Sequence, residues 1–323
     1  MDLLQPRKRF AFTGEGGELF TVLIVNWLLT IVTLGLYYPW AKARKLQYYY
    51  EHSELDGHPF HFHGTGKEMF KGFIKAVLLI VLVFGPFYVG SILQKPMLMI
   101  GGLILLLVGS MALFPLIIHG SYRYRSSRSS WRGIHFGYRG ILKELYSICL
   151  RDGFITLVTC GLYSAWLQMN VRSYVLSHLR YGSSRFTYKG DGGDYFLLNL
   201  KGYFLTLFTL GIYFFWWMKD RFNYYVDNLS WTVGEGADQR TMRFRSTATG
   251  GDMFALMVVN FLIVVFTLGI GLAWAEVRLM RFALSNIEMI GDADLDKVVQ
   301  TEDEHKNALA DDLGDLMDFD IFL

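Results

Sequence analysis

A stretch of roughly fifty residues recurs five times in this 323-residue chain, and a recurrence of that length indicates one structural unit used repeatedly. Its most complete copy combines Gly14-Glu-Gly16-Gly17-Glu18 with Asn26, Thr33-Leu34-Gly35 and Trp40. Other copies lie 126, 176 and 234 residues later, and one that begins at Phe60 is interrupted by extra apolar sequence. The recurrence predicts units at 7–57, 58–132, 133–183, 184–233 and 242–290, and a separate tail at 291–323.

Each unit contains an apolar run about as long as a membrane-crossing helix. Hydrophobic residues make up 52% of the chain and aromatic residues 16%, and the run at 76–89 lacks the polar stripe of a soluble core helix. The runs are Leu19–Trp40, Met69–Val89, Pro96–Ile118, Leu142–Trp166, Tyr195–Trp217 and Met253–Trp274. The sequence therefore predicts an α-helical polytopic membrane protein with about six hydrophobic segments, short β-hairpin strands between them and five degenerate internal repeats.

Within a unit, the pattern predicts a strand followed by two helices. Alternating aromatic residues, such as Phe10 and Phe12, indicate a short strand with one apolar face. Thr33-Leu34-Gly35 is typical of a helix stop, because glycine readily adopts the left-handed C-cap conformation. Residues 37–50, with Pro39 near their start, are then predicted to form a second, amphipathic helix. An acid in the first turn of every apolar helix favours the positive end of the helix dipole; these acids are Glu18, Glu68, Glu144, Asp194 and Asp252.

Two arrangements of these helices are compatible with the sequence. If each apolar run crosses the membrane once, successive units alternate sides, and Lys and Arg divide almost evenly between the two compartments. If four runs instead bend back at their glycine and the middle pair forms an ordinary hairpin, Lys95 lies alone on one side. The positive-inside rule favours the bent arrangement, although a bend within lipid leaves backbone groups that need cover.

Polar residues recur near the middle of the apolar runs, where an ionisable group costs roughly 2.5 kcal/mol or more. They are Asn26, Lys75, Arg151, Asp152, Lys201 and Asn260. Three acids lie seven residues earlier on the same helix face as three of the cations: Glu68 before Lys75, Glu144 before Arg151 and Asp194 before Lys201. Two interpretations follow, namely pairing between repeats that stabilises the bundle, or a polar path or anion site for a solute.

The sequence contains no catalytic or cofactor-binding constellation, since it has no phosphate loop, zinc-protease helix or nucleophile triad. His61 and His63 alternate on a strand and are weak candidates for a metal site, although a solvent-facing strand explains them more simply. The arginines of 123–132 follow a hydrophobic helix, which indicates the anionic cytoplasmic leaflet rather than nucleic acid. Cys149 and Cys160 are too far apart on a helix for a disulfide and are expected to be buried thiols. We therefore expect neither an enzyme nor a cofactor.

The end of the chain is strongly acidic. Residues 292–323 contain eleven Asp or Glu but only Lys297 and Lys306, whereas the rest of the chain is basic. Such a tail is predicted to be solvated and disordered. Its interleaved apolar residues offer a docking segment for a protein partner.

Several uncommon motifs together resemble one bacterial family. They are Phe12-Thr-Gly14-Glu-Gly16-Gly17-Glu18, Thr33-Leu34-Gly35-Leu36-Tyr37-Tyr-Pro39-Trp40, Leu55-Asp56-Gly57 and Trp131-Arg132-Gly133-Ile134. Over nearly all of residues 7–290 the chain resembles the YjgN-like inner-membrane family (domain of unknown function 898). The resemblance implies a multi-pass protein of the bacterial inner membrane, with no established activity and no catalytic residues. The chain departs from the family pattern where Leu142 and Lys143 replace the glycine pair.

Two functional hypotheses follow. The repeats, glycine-broken helices and intramembrane charges are features of many transporters, which favours a small-solute transporter or channel-like protein. The alternative is a non-transporting envelope protein that binds membrane lipids, or organises protein partners through its basic face and its acidic, cytoplasmic C-terminal tail. Substrate and oligomeric state do not follow from the sequence.

Overall fold

The computed structural model describes residues 6–234 and 236–301, and this part of the chain forms ten strands and ten α-helices. The strands are β1 (Arg7–Phe12), β2 (Ser53–Leu55), β3 (His58–Phe62), β4 (Ser129–Trp131), β5 (Ile134–Tyr138), β6 (Leu179–Tyr181), β7 (Ser184–Tyr188), β8 (Leu229–Val233), β9 (Arg240–Ser246) and β10 (Ile287–Ile290). The helices are α1 (Gly16–Val32), α2 (Tyr38–Glu51), α3 (Gly66–Ile92), α4 (Pro96–Ser127), α5 (Leu142–Val158), α6 (Ser164–Ser177), α7 (Gly192–Phe208), α8 (Phe214–Asp227), α9 (Gly250–Phe266) and α10 (Leu272–Ser285). The order strand, helix, helix, strand occurs five times, and we number these units 1 to 5.

All ten strands belong to one closed barrel, so the predicted class, a helical polytopic protein with separate β-hairpins, is wrong. Each strand pairs antiparallel with the strands next to it in sequence, and β1 closes the barrel by pairing with β10. At this seam the buried Glu288 forms ion pairs with Arg7 and Arg9 at 3.3 and 3.1 Å. The barrel is therefore the element that joins all five units.

One directly opposed pair of apolar residues per unit fills the barrel. The pairs are Phe10–Leu55, Phe60–Trp131, Phe136–Tyr181, Phe186–Trp231 and Phe244–Met289. Opposed residues of an antiparallel pair share a face of the sheet, and all ten side chains belong to one apolar core. The first aromatic residue of each alternating pair thus belongs to the barrel core, whereas the second packs with the helices; these second residues are Phe12, Phe62, Tyr138 and Tyr188.

Three large side chains close the lumen at its centre. The ring centroids of Trp131, Tyr181 and Trp231 lie 5.4 to 6.4 Å from one another. The Tyr181 hydroxyl donates to the carbonyl of Trp131 at 2.9 Å, and Trp231 Nε1 donates to Ser184 Oγ at 2.7 Å. Burial raises the pKa of the Tyr181 hydroxyl, which therefore remains a neutral donor near pH 7. Filled in this way, the barrel is a packed core and not a pore.

The two helices of each unit form a hairpin, and in four units the reversal lies inside the apolar run, as in the bent arrangement. In unit 1, Leu34 and Gly35 have φ angles of 51° and 91°, and Cys160–Gly161, Leu210–Gly211 and Leu268–Gly269 repeat this geometry. A left-handed leucine is strained, whereas glycine adopts this region at little cost. The hydroxyl of Thr33 accepts the N–H of Tyr37 at 2.9 Å, so the Thr-Leu-Gly motif also caps the second helix. That helix begins with Pro39 in its first turn, as predicted.

The hairpins pack side by side into a closed ring of ten helices, in which α10 contacts α1. At four unit boundaries, a tryptophan of one unit lies against the glycine that begins the next unit's first helix: Trp40–Gly66, Trp166–Gly192, Trp216–Gly250 and Trp274–Gly16. A Cβ on Gly16 would lie 2.3 Å from Trp274 Cδ1, so this approach requires glycine. At the fifth boundary both partners differ, because Leu116 and Leu142 occupy the corresponding positions.

Hydrogen bonds from the second helix of a unit reinforce these boundaries. Each reaches a carbonyl in the next unit: Gln47 to Gly64, Ser173 to Tyr188, Asn223 to Ala248 and Arg281 to Gly14, over 3.0 to 3.4 Å. The last of these connects unit 5 to unit 1 and closes the ring.

Within units 1, 3 and 4, a tyrosine hydroxyl fixes the start of the first helix. The hydroxyl accepts the N–H and donates to the carbonyl of the residue before that helix: Tyr48 with Glu15, Tyr174 with Ile141 and Tyr224 with Asp191. The spacing is 33 residues in every case. Unit 5 has Phe282 at this position, and there the Thr249 side chain caps α9 instead.

The sequence predicts disorder from residue 291, but residues 291–301 pack on the barrel. Leu295 and Val298 join its core, the Ser183 N–H donates to the carbonyl of Val299 at 2.9 Å, and Asp296 pairs with Arg132. The segment thus contacts the turns β4–β5 and β6–β7, which lie at the end of the barrel opposite the helices. Residues 302–323, with the remaining acids of the tail, lie outside the described residues.

Among the described helices, α3 and α4 are the two that are long and apolar enough to cross a membrane. They contain 27 and 32 residues. Helices α1, α5, α7 and α9 each contain 17 residues, about 26 Å at 1.5 Å per residue, which is less than a hydrocarbon core of about 30 Å. The expectation of about six hydrophobic segments fails because a reversal divides four of the apolar runs.

The glycines that begin α1 provide a matched test of the ring. Gly16→Ala is expected to lower the stability by about 1–3 kcal/mol, because its methyl group would overlap Trp274. Gly17→Ala places the same group in open space and is expected to leave the stability unchanged or slightly higher. Thermal unfolding of both variants in detergent compares them. Equal melting temperatures would contradict the role of the tryptophan–glycine contact.

Candidate membrane-interaction surface

A large exposed surface of the helical ring is apolar, and we call it the apolar belt. It includes Ile31, Val32, Leu78, Val81, Leu82, Leu107, Val108, Phe154, Leu157, Phe208, Phe261 and Phe266, all exposed. Soluble monomers rarely expose contiguous apolar patches of more than a few hundred Å². A belt drawn from helices of all five units therefore indicates a surface that is covered by an apolar medium.

The hairpin tips are the most exposed part of this belt. Leu34, Leu210 and Leu268 are 93–94% exposed, and Cys160 occupies the equivalent position in unit 3. Backbone in lipid must be bonded internally, and the N–H groups at the tip of unit 1 meet this condition. The Gly35 N–H donates to the carbonyl of Thr30 at 2.7 Å, and the Leu36 N–H donates to that of Thr33 at 3.1 Å. These bonds lower the cost that the sequence analysis attached to a bend within lipid.

Two of the predicted polar residues join the helices of their own hairpin. Asn26 Nδ2 donates to the carbonyl of Ala41 at 3.2 Å, and Asn260 Nδ2 donates to that of Ala275 at 3.1 Å. Asn260 Oδ1 also accepts from Arg278 Nε at 3.0 Å. These bonds tie each first helix to the second, so both asparagines act within a unit and not between units.

Asp152 is the most deeply buried of the predicted residues. Its carboxylate is fully buried and accepts from Asn170 Nδ2 and from Arg151 Nε, both at 2.7 Å. Asn170 lies on α6, so this contact again joins the two helices of one hairpin. The sequence analysis did not find Asn170, although a bend at Gly161 places residue 170 opposite residue 152.

Of the other predicted residues, Glu68, Glu144 and Asp194 lie in the first turns of their helices, and Lys75 and Lys201 lie farther along α3 and α7. Glu68 forms a capping box with Thr65 and an ion pair of 3.0 Å with Arg128. Glu144 and Asp194 are exposed in the first turns of α5 and α7, and Lys75 is half-buried on α3. Lys201 is exposed and lines an open cavity of about 490 Å³ with Asp220 and Asp227. Burial raises the pKa of the Asp227 carboxyl, and the Ser246 N–H opposes this shift.

His61 and His63 lie on β3 with ring centroids 6.4 Å apart, and His135 of β5 comes to 5.4 Å from His63. His63 Nε2 also contacts Ser130 Oγ at 2.8 Å. Within residues 6–234 and 236–301, no three His, Cys, Asp or Glu side chains gather as ligands for a metal ion.

A second open cavity lies where unit 5 meets unit 1, and we call it the closing cavity. Its volume is about 560 Å³, and Arg278 and Arg281 of α10 line it together with Glu15, Gly17, Trp274 and Ile263. Both cations and apolar side chains therefore border the same space. Glu15 and Gly17 lie in the recurring glycine motif, and Ile263 and Trp274 lie in the last apolar run, but nothing in these patterns predicted a cavity.

Two of the predicted aspartates allow the hairpin contacts to be tested. Asp152→Ala is expected to destabilise the protein by about 2–4 kcal/mol, because Asn170 would lose its buried partner. Asp194→Ala removes an exposed acid near a helix N-terminus and is expected to cost less than about 1 kcal/mol. Chemical denaturation in detergent measures both. If Asp152→Ala unfolds at the same denaturant concentration as Asp194→Ala, the buried contact is not structural.

Comparison with known proteins places the chain among bacterial membrane proteins of unknown function. Inner membrane protein YjgN of Salmonella typhimurium is 31% identical over 138 residues, or 42% of this chain and 32% of the relative. The proteins of that name from Escherichia coli O157:H7 and K12 are each 30% identical over 141 residues, or 44% of this chain and 33% of theirs. The matched part thus spans about a third of these relatives' length, and no solved structure gives a significant match. Residues 7–201 and 222–316 match the family described as "Bacterial protein of unknown function (DUF898)", and the chain belongs to that family.

Proposed function

We propose that this protein is a lipid-binding protein of the bacterial inner membrane, which inserts four helical hairpins from one side and crosses the bilayer only with α3 and α4. The apolar belt is the observation that carries this proposal. Its hairpin tips are almost fully exposed and apolar, and their backbone N–H groups are bonded internally. Lipid chains are the medium that such a surface requires.

The depth of the hairpins supports insertion from one side. The 17-residue helices, about 26 Å long, are slightly shorter than the hydrocarbon core of about 30 Å, and both ends of each unit return to the same barrel. The hairpins of units 1, 3, 4 and 5 would therefore enter from the barrel side and turn back within the bilayer. A protein of this shape displaces more lipid on the barrel side than on the other side.

The barrel side is proposed to be cytoplasmic, together with the C-terminal tail. Its outward strand positions carry exposed arginines, among them Arg9, Arg185, Arg243 and Arg245. The short turn between α3 and α4, residues 93–95, carries Lys95 as its one basic residue. The positive-inside rule then places the barrel in the cytoplasm. The relatives' printed name, inner membrane protein, supports the location.

Lipid binding is favoured over solute transport for two reasons. The barrel axis is filled by Trp131, Tyr181 and Trp231, which leaves no path along it. In addition, Asn26, Asp152 and Asn260 form bonds within their hairpins and are not arranged along a route. A transporter or channel-like protein, the other function that the sequence favours, would need a path elsewhere. We also propose that the protein is not an enzyme, and that its partners are membrane lipids and not nucleic acids.

Flux and lipid retention separate the two functions. We expect proteoliposomes of bacterial phospholipids to release entrapped small ions and amino acids no faster than empty vesicles. We also expect the detergent-purified protein to retain phospholipids that native mass spectrometry detects as mass adducts. Solute flux that Lys201→Ala abolishes would instead establish transport and overturn the proposal.

The hairpin tips allow insertion itself to be tested. Leu34→Asp, Leu210→Asp and Leu268→Asp combined are expected to withdraw the tips from lipid, because an aspartate in the bilayer costs roughly 2.5–3.5 kcal/mol. Fewer lipid adducts should then remain, while the melting temperature in detergent stays close to that of the parent. Gln239→Asp, in an exposed turn of the barrel, is the control. Unchanged lipid retention in the triple variant would show that the tips do not contact lipid.

A further inference from the structure

The closing cavity differs from the equivalent places at the other unit boundaries. Its two arginines, Arg278 and Arg281, lie three residues apart on α10. The corresponding residues are Arg44 and Gln47 in unit 1, Gly120 and Arg123 in unit 2, Asn170 and Ser173 in unit 3, and Asp220 and Asn223 in unit 4. The paired cations therefore belong to the boundary where the ring closes, and they are not a consequence of the recurring unit.

Each of the two guanidinium groups makes one hydrogen bond to the part of the chain that the structure describes. Its remaining N–H groups can bind a ligand in the cavity. Arg278 Nε donates to Asn260 Oδ1 at 3.0 Å, and Arg281 donates to the carbonyl of Gly14 at 3.0 Å. A guanidinium has five N–H donors, and each of these bonds uses one of them. Both arginines are exposed beside one cavity, and a guanidinium can bind a phosphate through two parallel hydrogen bonds.

The rest of the cavity lining is largely apolar, as expected beside the phosphate of a lipid. Trp274, Ile263 and Val277 provide an apolar wall that continues into the apolar belt. A Cβ on Gly17 would meet nothing within 4 Å, so bare backbone borders the cavity on the side of α1. Arginine and tryptophan together are typical of the headgroup level of a membrane. Glu15 also lines the cavity, and its negative charge weakens the positive potential there.

We infer that the closing cavity binds the phosphodiester headgroup of an anionic membrane phospholipid, with Arg278 and Arg281 on the phosphate and the first acyl carbons over Trp274 and Ile263. The inference rests on the proposed lipid-binding function and adds a defined site to it. A volume of about 560 Å³ lies within the range of small-molecule sites. A soluble phosphate ester shares the headgroup chemistry but leaves the apolar wall uncovered.

Native mass spectrometry of the full-length protein in detergent tests this site, with phosphatidylglycerol as the probe and phosphatidylcholine for comparison. Arg278→Gln with Arg281→Gln is expected to weaken phosphatidylglycerol binding by at least about tenfold, because two charged hydrogen-bonding groups are lost. Arg243→Gln with Arg245→Gln removes the same charge from exposed barrel positions and should leave binding unchanged. Glu15→Gln is expected to strengthen binding.

Several outcomes would overturn the inference. If the Arg278 and Arg281 variants bind phosphatidylglycerol like the parent, while the tip variants lose lipid, the site is wrong but the proposed function stands. If glycerol 3-phosphate competes as strongly as the lipid does, the cavity recognises a soluble phosphate. Should the glutamine pair fail to fold, Arg278→Lys with Arg281→Lys keeps the charge but loses the paired hydrogen bonds, and it must still weaken binding.

Discussion

Closure of the barrel is the constraint on which the rest of the structure depends. Strands β2, β4 and β6 contain three residues each, and an isolated pair of such strands is not stable in water. Every strand obtains two partners because β1 meets β10, although these strands lie at opposite ends of the fold in sequence. The same closure brings Trp274 onto Gly16 and Arg281 onto the carbonyl of Gly14. Each unit is thus held by its neighbours on both sides.

Local structure was predictable where the signal is short-range. The aromatic alternation marks β1, β3, β5 and β7, and the acids lie in the first turns of the first helices. Thr-Leu-Gly follows three of the short apolar helices, and Thr-Cys-Gly follows α5. Barrel closure was not predictable, since three-residue strands show no alternation and hydrogen bonds between distant strands leave no mark in one sequence. The prediction of about six hydrophobic segments was wrong because a run such as Leu19–Trp40 has the length of one span, although the reversal at Gly35 divides it.

For the polar residues, too, the sequence identified the residues but not their partners. The sequence identifies Asn26, Asp152 and Asn260 as residues that need partners, and the structure gives partners within the same hairpin. A hairpin bend predicts such partners 15 to 18 residues later, which a straight helix does not. The constant 33-residue spacing to Tyr48, Tyr174 and Tyr224 was also present in the sequence. Its meaning depends on a contact between two helices, so the spacing alone did not reveal it. Of the two thiols expected to be buried, Cys149 is buried but Cys160 is exposed at a tip.

Cys160 allows the central claim, hairpins that enter lipid and return to the same side, to be tested most directly. In one variant Cys149 is replaced by alanine, so that Cys160 is the single thiol. In two others both native cysteines are replaced by alanine, and Asp56→Cys or Asp238→Cys places the single thiol on the barrel. Sealed vesicles of each orientation are treated with a membrane-impermeant maleimide. We predict that Cys160 reacts from neither side until detergent is added, whereas both barrel cysteines react from the cytoplasmic side only. Reaction of Cys160 from the face opposite the barrel cysteines would show that the hairpin crosses the membrane, and would contradict the account.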